Sequence, residues 1–584
     1  MLRSSRMIVS LISTLCLGTA YTVATVSAAS LLVGCKDENQ PEYWIDKLDD
    51  SKWRPNAVKR LTQFFEDAVT KANNDQSAPE VKALLDKIVD PLIKTYVEHY
   101  EDLDTKTRVS LIKLLSDIRD PRTEPALKKA FEEFAKRPRS TKDEADIKWA
   151  VRAAADLKLP GLSGPVLAAF EKLQAHTMLG GITYKDYSDA MARIADKSWT
   201  SALIAKLGAE IVPPKTKKDR DKIDPYRDQL FWQTSAAQVL GVIKASEAVE
   251  PLMKVLLDPN KADVATTALL ALVKIGKPSV DRATKLLTDD KDPLATYYKA
   301  KIQKATDAKE PPSEPVQIEI AAAILGTAGR AEAVDPMVKV LKSDAKPKYK
   351  AQVAKELAKI PATPASIAAF KETVESMPAD ESLAGTPALA LLAESAGQFY
   401  DPSLVDWLLN QAQGAKGSGE DKKIFQGAAL LTSLKLAKPA QMKKVKSAIN
   451  SMGTQVEKDM YALAEKVVNA CADGAGCYLQ ELEKSENQDK KNQFAAIKAG
   501  YMVGILGDEK VRDELLEAID AVENAGVRFV AAQTIDHLTP KGSADVVKKL
   551  DAIIEKNKKS ADRDKMLGDE PLKQVMYRVD ARGG

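Results

Sequence analysis

The sequence predicts an all-α protein, an α-solenoid of stacked antiparallel helix pairs. Three observations point there. A helix type rich in Ala and Leu, closing on Gly, recurs along the chain. Its apolar residues fall at i, i+3 and i+4, the spacing of one helix face. Aromatic residues make up only 5% of the chain, too few for most sandwich or barrel cores. The 584 residues suit one long repeat array or roughly four domains of about 150 residues.

An apolar content of 45% is enough to fold. The charges nearly cancel, 86 Lys and Arg against 83 Asp and Glu, for a net +3. Nucleic-acid binding and a polybasic membrane surface both need concentrated positive charge, so both are excluded as general roles.

The first element is a leader. Met1 to Arg6 reads MLRSSR, and residues 7–34 contain no charge. The most apolar part, 7–17, has the length of a secretory core and is too short to span a bilayer. It closes on Leu32-Val33-Gly34-Cys35, which resembles the bacterial lipobox. The resemblance implies cleavage before Cys35 and lipid attachment to its thiol, so 1–34 is read as signal peptide and 35–42 as tether. Two other readings stay open: cleavage after Val26-Ser27-Ala28, or an uncleaved anchor. Lys36 follows the lipidated position instead of Asp, which leans towards the outer membrane, facing the periplasm. Without Arg3 and Arg6, 84 basic residues face 83 acidic ones, a net +1. Beyond the leader no apolar run reaches about 18 residues.

The body repeats. Glu247-Ala248-Val249-Glu250-Pro251-Leu252-Met253-Lys254-Val255-Leu256 returns as Glu332-Ala333-Val334-Asp335-Pro336-Met337-Val338-Lys339-Val340-Leu341. Each follows an Ala-rich helix, one ending Val239-Leu240-Gly241, the other Ile324-Leu325-Gly326. A third copy ends Val273-Lys274-Ile275-Gly276, before Pro278. The register continues through Leu357, Leu392, Leu431, Val467, Ile497 and Ile535, and begins upstream at 57–61, 109–115, 151–157 and 190–194. Small Ala lets a neighbouring helix approach, and Gly is expected to end the first helix in a left-handed cap. Pro is expected in the first turn of the second, where no amide donor is needed. One pair cannot bury its apolar face alone, so the pairs must stack.

The unit resembles a HEAT repeat, of the short type also found in phycobilisome-lyase-like proteins. The resemblance covers about 43–554 and is most specific over 233–341. Most units lack the Val-Arg pair that usually opens the first helix, whereas the Asp-Pro of the turn is clear at Asp258-Pro259. An armadillo or tetratricopeptide array is the alternative, although the tetratricopeptide Trp/Gly/Tyr pattern is missing. Repeats are expected over 43–208 and 227–556, a polar linker at 209–226, and a C-terminal cap and tail at 557–584. Polar inserts at 137–141, 213–222, 309–315 and 414–423 read as long turns or subdomain borders.

Catalysis leaves a constellation of reactive groups, and the sequence has none. The three histidines, His99, His176 and His537, are far apart, and residues many repeats apart do not meet in an open stack. Ser343-Asp344-Ala345-Lys346 spells S-x-x-K without the accompanying K-T-G. No cofactor or metal is expected. Cys471 and Cys477 flank Ala472-Asp473-Gly474-Ala475-Gly476. In an exported protein that spacing predicts a disulfide; free thiols or a metal site are the other options.

Lys254 and Lys339 hold the same position in their matched helices, and Lys285, Lys128 and Lys548 fit it too. They form either a ladder along a binding groove or a solvated stripe between apolar rows. The expectation is a lipid-anchored, non-enzymatic scaffold binding protein partners in the cell envelope, with an acidic partner if the ladder is used. The HEAT subtype leaves an accessory lyase or chaperone-like subunit open as the alternative, beside a carrier of a small molecule or envelope polymer.

Overall fold

The computed structural model describes residues 37–136, 144–175, 184–214, 216, 219–558 and 569–583. They form an all-α fold in which helices follow one another as stacked pairs. The described residues carry one sheet, a two-residue hairpin pairing Ser382–Leu383 with Thr386–Pro387. Its turn, Ala384-Gly385, has both φ angles positive, as a tight hairpin turn requires. The chain divides into two compact units, Met1–Ile88 and Val89–Gly584.

In the first unit, Pro41–Asp46 packs on Arg54–Lys71. Trp44, Leu48, Ala57, Val58, Leu61 and Phe65 fill its core. Trp44 donates from Nε1 to the Glu38 carbonyl at 2.7 Å, whereas Trp53 stays exposed.

In the second unit the repeated first helices form one packed row. Arg220–Ile243, Ala262–Ile275, Gln317–Ala328, Pro347–Leu357, Ala388–Ser395, Gly419–Leu436, Gln493–Leu506 and Ala525–His537 each lie against the next. Their Ala and Leu positions are buried, including Leu240, Leu272, Leu325, Leu357, Leu392 and Ile535. Second helices such as Val249–Leu256 and Val334–Leu341 pack on the first helices that follow them, Ala262–Ile275 and Pro347–Leu357, and on neighbouring second helices. Pro251 and Pro336 occupy their first turns, as expected.

Gly276 ends its helix at φ 79°, as expected, but the structure corrects the role given to the other two repeat glycines. Gly241 and Gly326 lie inside their helices, and the left-handed caps are Lys244 and Gly329, at φ 56° and 64°. A Cβ on Gly241 would lie 2.7 Å from Ala271 Cα, and one on Gly326 would lie 2.6 Å from the Glu356 carbonyl oxygen. These glycines let one first helix touch the next. The longest step of the register, between Leu272 and Leu325, also holds an added helix, Pro293–Thr306.

Buried cations terminate several helices. The last carbonyls of a helix have no partner within it. Lys261 Nζ donates to the carbonyls of Leu207 and Ala209. Lys498 Nζ, fully buried, donates to those of Lys435 and Ala437. Burial pulls the Lys498 amine down to about 7.

Candidate binding cavity at the C-terminal helix

The C-terminal helix, Glu570–Gly583, buries Leu572, Val575, Met576 and Val579 along one stripe. It packs on Ala544–Lys558 and Ala525–His537, and also on Ala262–Ile275 and Gln317–Ala328. Residues many repeats apart therefore do meet, contrary to the open-stack expectation. The second unit curls until its last helix lies against helices from its middle.

Arg578 and Arg582, one turn apart, make this junction. Arg578 Nη1 donates to the carbonyls of Gly326 and Thr327, each at 2.9 Å, and Nη2 donates to that of Lys359 at 2.5 Å. Arg582 donates to the carbonyls of Gly329, Asp536 and Thr539, each at 3.1 Å. Three helices that end side by side, Gln317–Ala328, Pro347–Leu357 and Ala525–His537, thus share two guanidinium caps. In return, Arg330 Nη1 donates to the Ala581 carbonyl and closes the C-terminal helix. Gly329 is glycine for two reasons: its φ is positive, and a Cβ there would lie 2.6 Å from Arg578 Nη2.

Asp536 lies between the two arginines, 3.0 Å from Arg578 Nη2 and 2.7 Å from Arg582 Nη2. Burial alone would raise the pKa of its carboxyl. The charges and hydrogen bonds of Arg578 and Arg582 outweigh burial and hold it below the ordinary value. The charges come close to balance. Two guanidinium groups face one carboxylate and three helix C-termini of about −0.5 each.

Beside this network is a cavity of about 260 Å³. Its polar lining includes Lys359, Gln398, Gln533, His537 and Gln574, and its apolar lining Ile360, Pro361, Phe529, Pro571 and Val575. The His537 ring stacks on Tyr400, centroids 4.3 Å apart. Burial pushes its pKa down to about 4, so the imidazole is neutral at pH 7. Lys359 Nζ is held by Glu356 at 2.5 Å. Among the described residues no hydrogen-bond partner faces the side chains of Gln398, Gln533, Gln574 or His537. Three carboxamides and one neutral imidazole thus line the space with spare donors and acceptors.

Apart from His537, the residues singled out in the sequence lie elsewhere. Leu32, Val33, Gly34, Cys35 and His176 are outside the described residues. Cys471 and Cys477 form a disulfide with Cα atoms 5.3 Å apart. It joins the end of Gln455–Cys471 to the first turn of Ala475–Glu483. Lys128, Lys254, Lys285, Lys339 and Lys548 are all exposed on second helices, and none lines the cavity. Ser343 is a turn residue, its Oγ donating to the Val340 carbonyl at 2.7 Å. The cavity residues escaped sequence reasoning because they come from segments up to 255 residues apart, Thr327 to Arg582. The faint signal was a pair of arginines, Arg578 and Arg582, four residues apart in the last helix and so on one face of it.

Fold and site together define an α-solenoid with a cavity at its C-terminal junction. No family model matches the chain, and no curated protein matches it. Among solved structures, one similar chain comes from work titled "A conserved phosphorylation switch controls the interaction between cadherin and beta-catenin in vitro and in vivo". The two are 11% identical, the match covers 92% of this chain and 99% of the other, and the TM-score is 0.25. A score that low carries no inference about function.

Proposed function

We propose that the chain is a lipid-anchored HEAT-like scaffold that binds protein partners in a bacterial cell envelope, without catalysis of its own. Cys35 is the anchored residue, and Lys36 beside it favours an outer-membrane position facing the periplasm. The observation that carries the binding role is the second-helix face. Lys128, Lys254, Lys285, Lys339 and Lys548 sit at matching repeat positions and all remain exposed. Such a periodic face suits an extended partner with acidic groups, since repeat arrays bind along their length. The cavity of about 260 Å³ falls below the range of about 300–1,000 Å³ usual for drug-sized ligands, which weighs against a pigment carrier.

Affinity purification from envelopes tests the reading. A stable protein complex is expected with the wild type. Recovery should fall with Lys254→Glu combined with Lys339→Glu, and fall with added salt, which screens exposed charges. Equal recovery with the double reversal would leave those lysines as solvated positions. Bound pigment or glycan in place of protein would replace the scaffold reading with a carrier. Cys35→Ser should release the protein from membranes. Retention after a salt wash, without attached lipid, would instead mean an uncleaved leader.

A further inference from the structure

We propose that the cavity at the C-terminal helix is a peptide-binding pocket, taking one apolar side chain of an uncharged, extended segment of a partner protein. The proposal rests on the protein-binding reading above but names a different surface and the opposite partner chemistry. Its basis is what the lining groups have left to offer. Arg578 donates four hydrogen bonds, to Gly326, Thr327, Lys359 and Asp536, and its Nη2 also lies 3.0 Å from the Asp536 carboxylate. The N–H groups of Arg582 are engaged by Gly329, Asp536 and Thr539, with a single N–H to spare. The arginines are therefore structural caps, and the charge around them is balanced by Asp536 and three helix ends. An anionic ligand would find no free fork to bind, and a cation would meet Arg578, Arg582 and Lys359.

Unspent capacity lies in Gln398, Gln533, Gln574 and the neutral His537. A carboxamide both donates and accepts, and each peptide unit offers one N–H and one C=O. Gln533 and His537, four residues apart, lie on one face of Ala525–His537, and Gln574 comes from Glu570–Gly583, the helix packed on it. Main-chain groups entering the cavity can pair with side chains from both helices. The apolar part of the lining suits a side chain instead: Ile360, Pro361, Pro571 and Val575 are apolar, and Phe529 is 46% exposed. Aromatic residues, Phe among them, are enriched at protein interfaces, where anchor side chains fill desolvated pockets. The volume decides the size of the occupant, since about 260 Å³ admits an anchor side chain with its adjoining peptide groups and not a folded element.

Panning a random peptide library against the full chain tests this. Binders should be uncharged with one apolar anchor. Gln574→Trp, at an exposed position, should fill the mouth and weaken them at least tenfold. Gln533→Glu, which puts a second carboxylate beside Asp536, should weaken them while leaving the helical circular dichroism signal unchanged. Enrichment of acidic peptides that ignore both changes and fail on the Lys254→Glu, Lys339→Glu double variant would overturn the pocket while upholding the scaffold. Enrichment of no peptide, with chitotriose retained by the wild type and lost on Gln574→Trp, would overturn both. Failure to enrich peptides or retain chitotriose would overturn the pocket, and envelope purification would then judge the scaffold alone.

Discussion

Arg578 joins three elements at once, and its removal has consequences that a surface charge does not have. Arg578→Met leaves the carbonyls of Gly326, Thr327 and Lys359 unpaired and takes one of two cations from buried Asp536. Breaking one side of such a buried pair costs about 3–5 kcal/mol. Urea unfolding should show a loss of that order, against less than about 0.5 kcal/mol for Lys254→Ala on the exposed face. His537 gives a pH signature. Its pKa falls from 6.5 to about 4 in the fold, so between those values the unfolded chain holds the proton and the fold does not. Stability therefore declines as pH drops through that window, by about 3 kcal/mol once it is crossed. His537→Phe keeps a ring on Tyr400 and removes that contribution. The difference in melting temperature between variant and wild type should widen from pH 7 to pH 4. Parallel profiles would mean that His537 titrates normally.

At the level of the helix, glycine is where two opposing rules compete. Gly to Ala inside a helix gains up to about 1 kcal/mol from propensity. At Gly241 the added methyl would meet Ala271 Cα at 2.7 Å, and overpacking of that kind costs about 1–3 kcal/mol. Gly241→Ala should therefore lower the melting temperature, and an increase would show that the helix row can part without cost. The Cys471–Cys477 bridge closes only a short loop, worth about 2 kcal/mol by chain entropy. Thiol counting on unfolded, unreduced protein should find neither cysteine free. Reduction should raise amide exchange around Gln455–Cys471 and Ala475–Glu483, leaving the Gln317–Ala328 helix as protected as before.

Across the larger unit, the C-terminal helix fastens the last repeats to middle ones. Truncation before Glu570 removes Arg578 and Arg582 and exposes the ends of Gln317–Ala328, Pro347–Leu357 and Ala525–His537. Hydrogen exchange should lose protection at those three ends together, although they are remote in sequence. Gly419–Leu436, which Lys498 caps, should change little. Independent behaviour of the three ends would show that the C-terminal helix is a passenger in the array. Repeat units gain stability mainly from their neighbours, so a contact spanning about half the chain adds a cooperativity that an open stack lacks.

The sequence by itself determined the helical class, the pairing of helices and the cysteine bridge. Helical spacing of Leu and Ile, Pro in first turns and two nearby cysteines are local signals, written within a few residues of their effects. The helices expected around Leu240, Leu272 and Leu325 lie where the repeat register placed them. Tertiary structure decided what Gly241 and Gly326 do, since a close approach depends on Ala271 and Glu356, neither of which is adjacent in the chain. It also decided that Arg578 and Arg582 are caps and that Gln398, Gln533, His537 and Gln574 surround one space. Those roles depend on how far the stack curls before its end meets its middle. Curvature accumulates from small rotations between pairs, and no single residue records that sum.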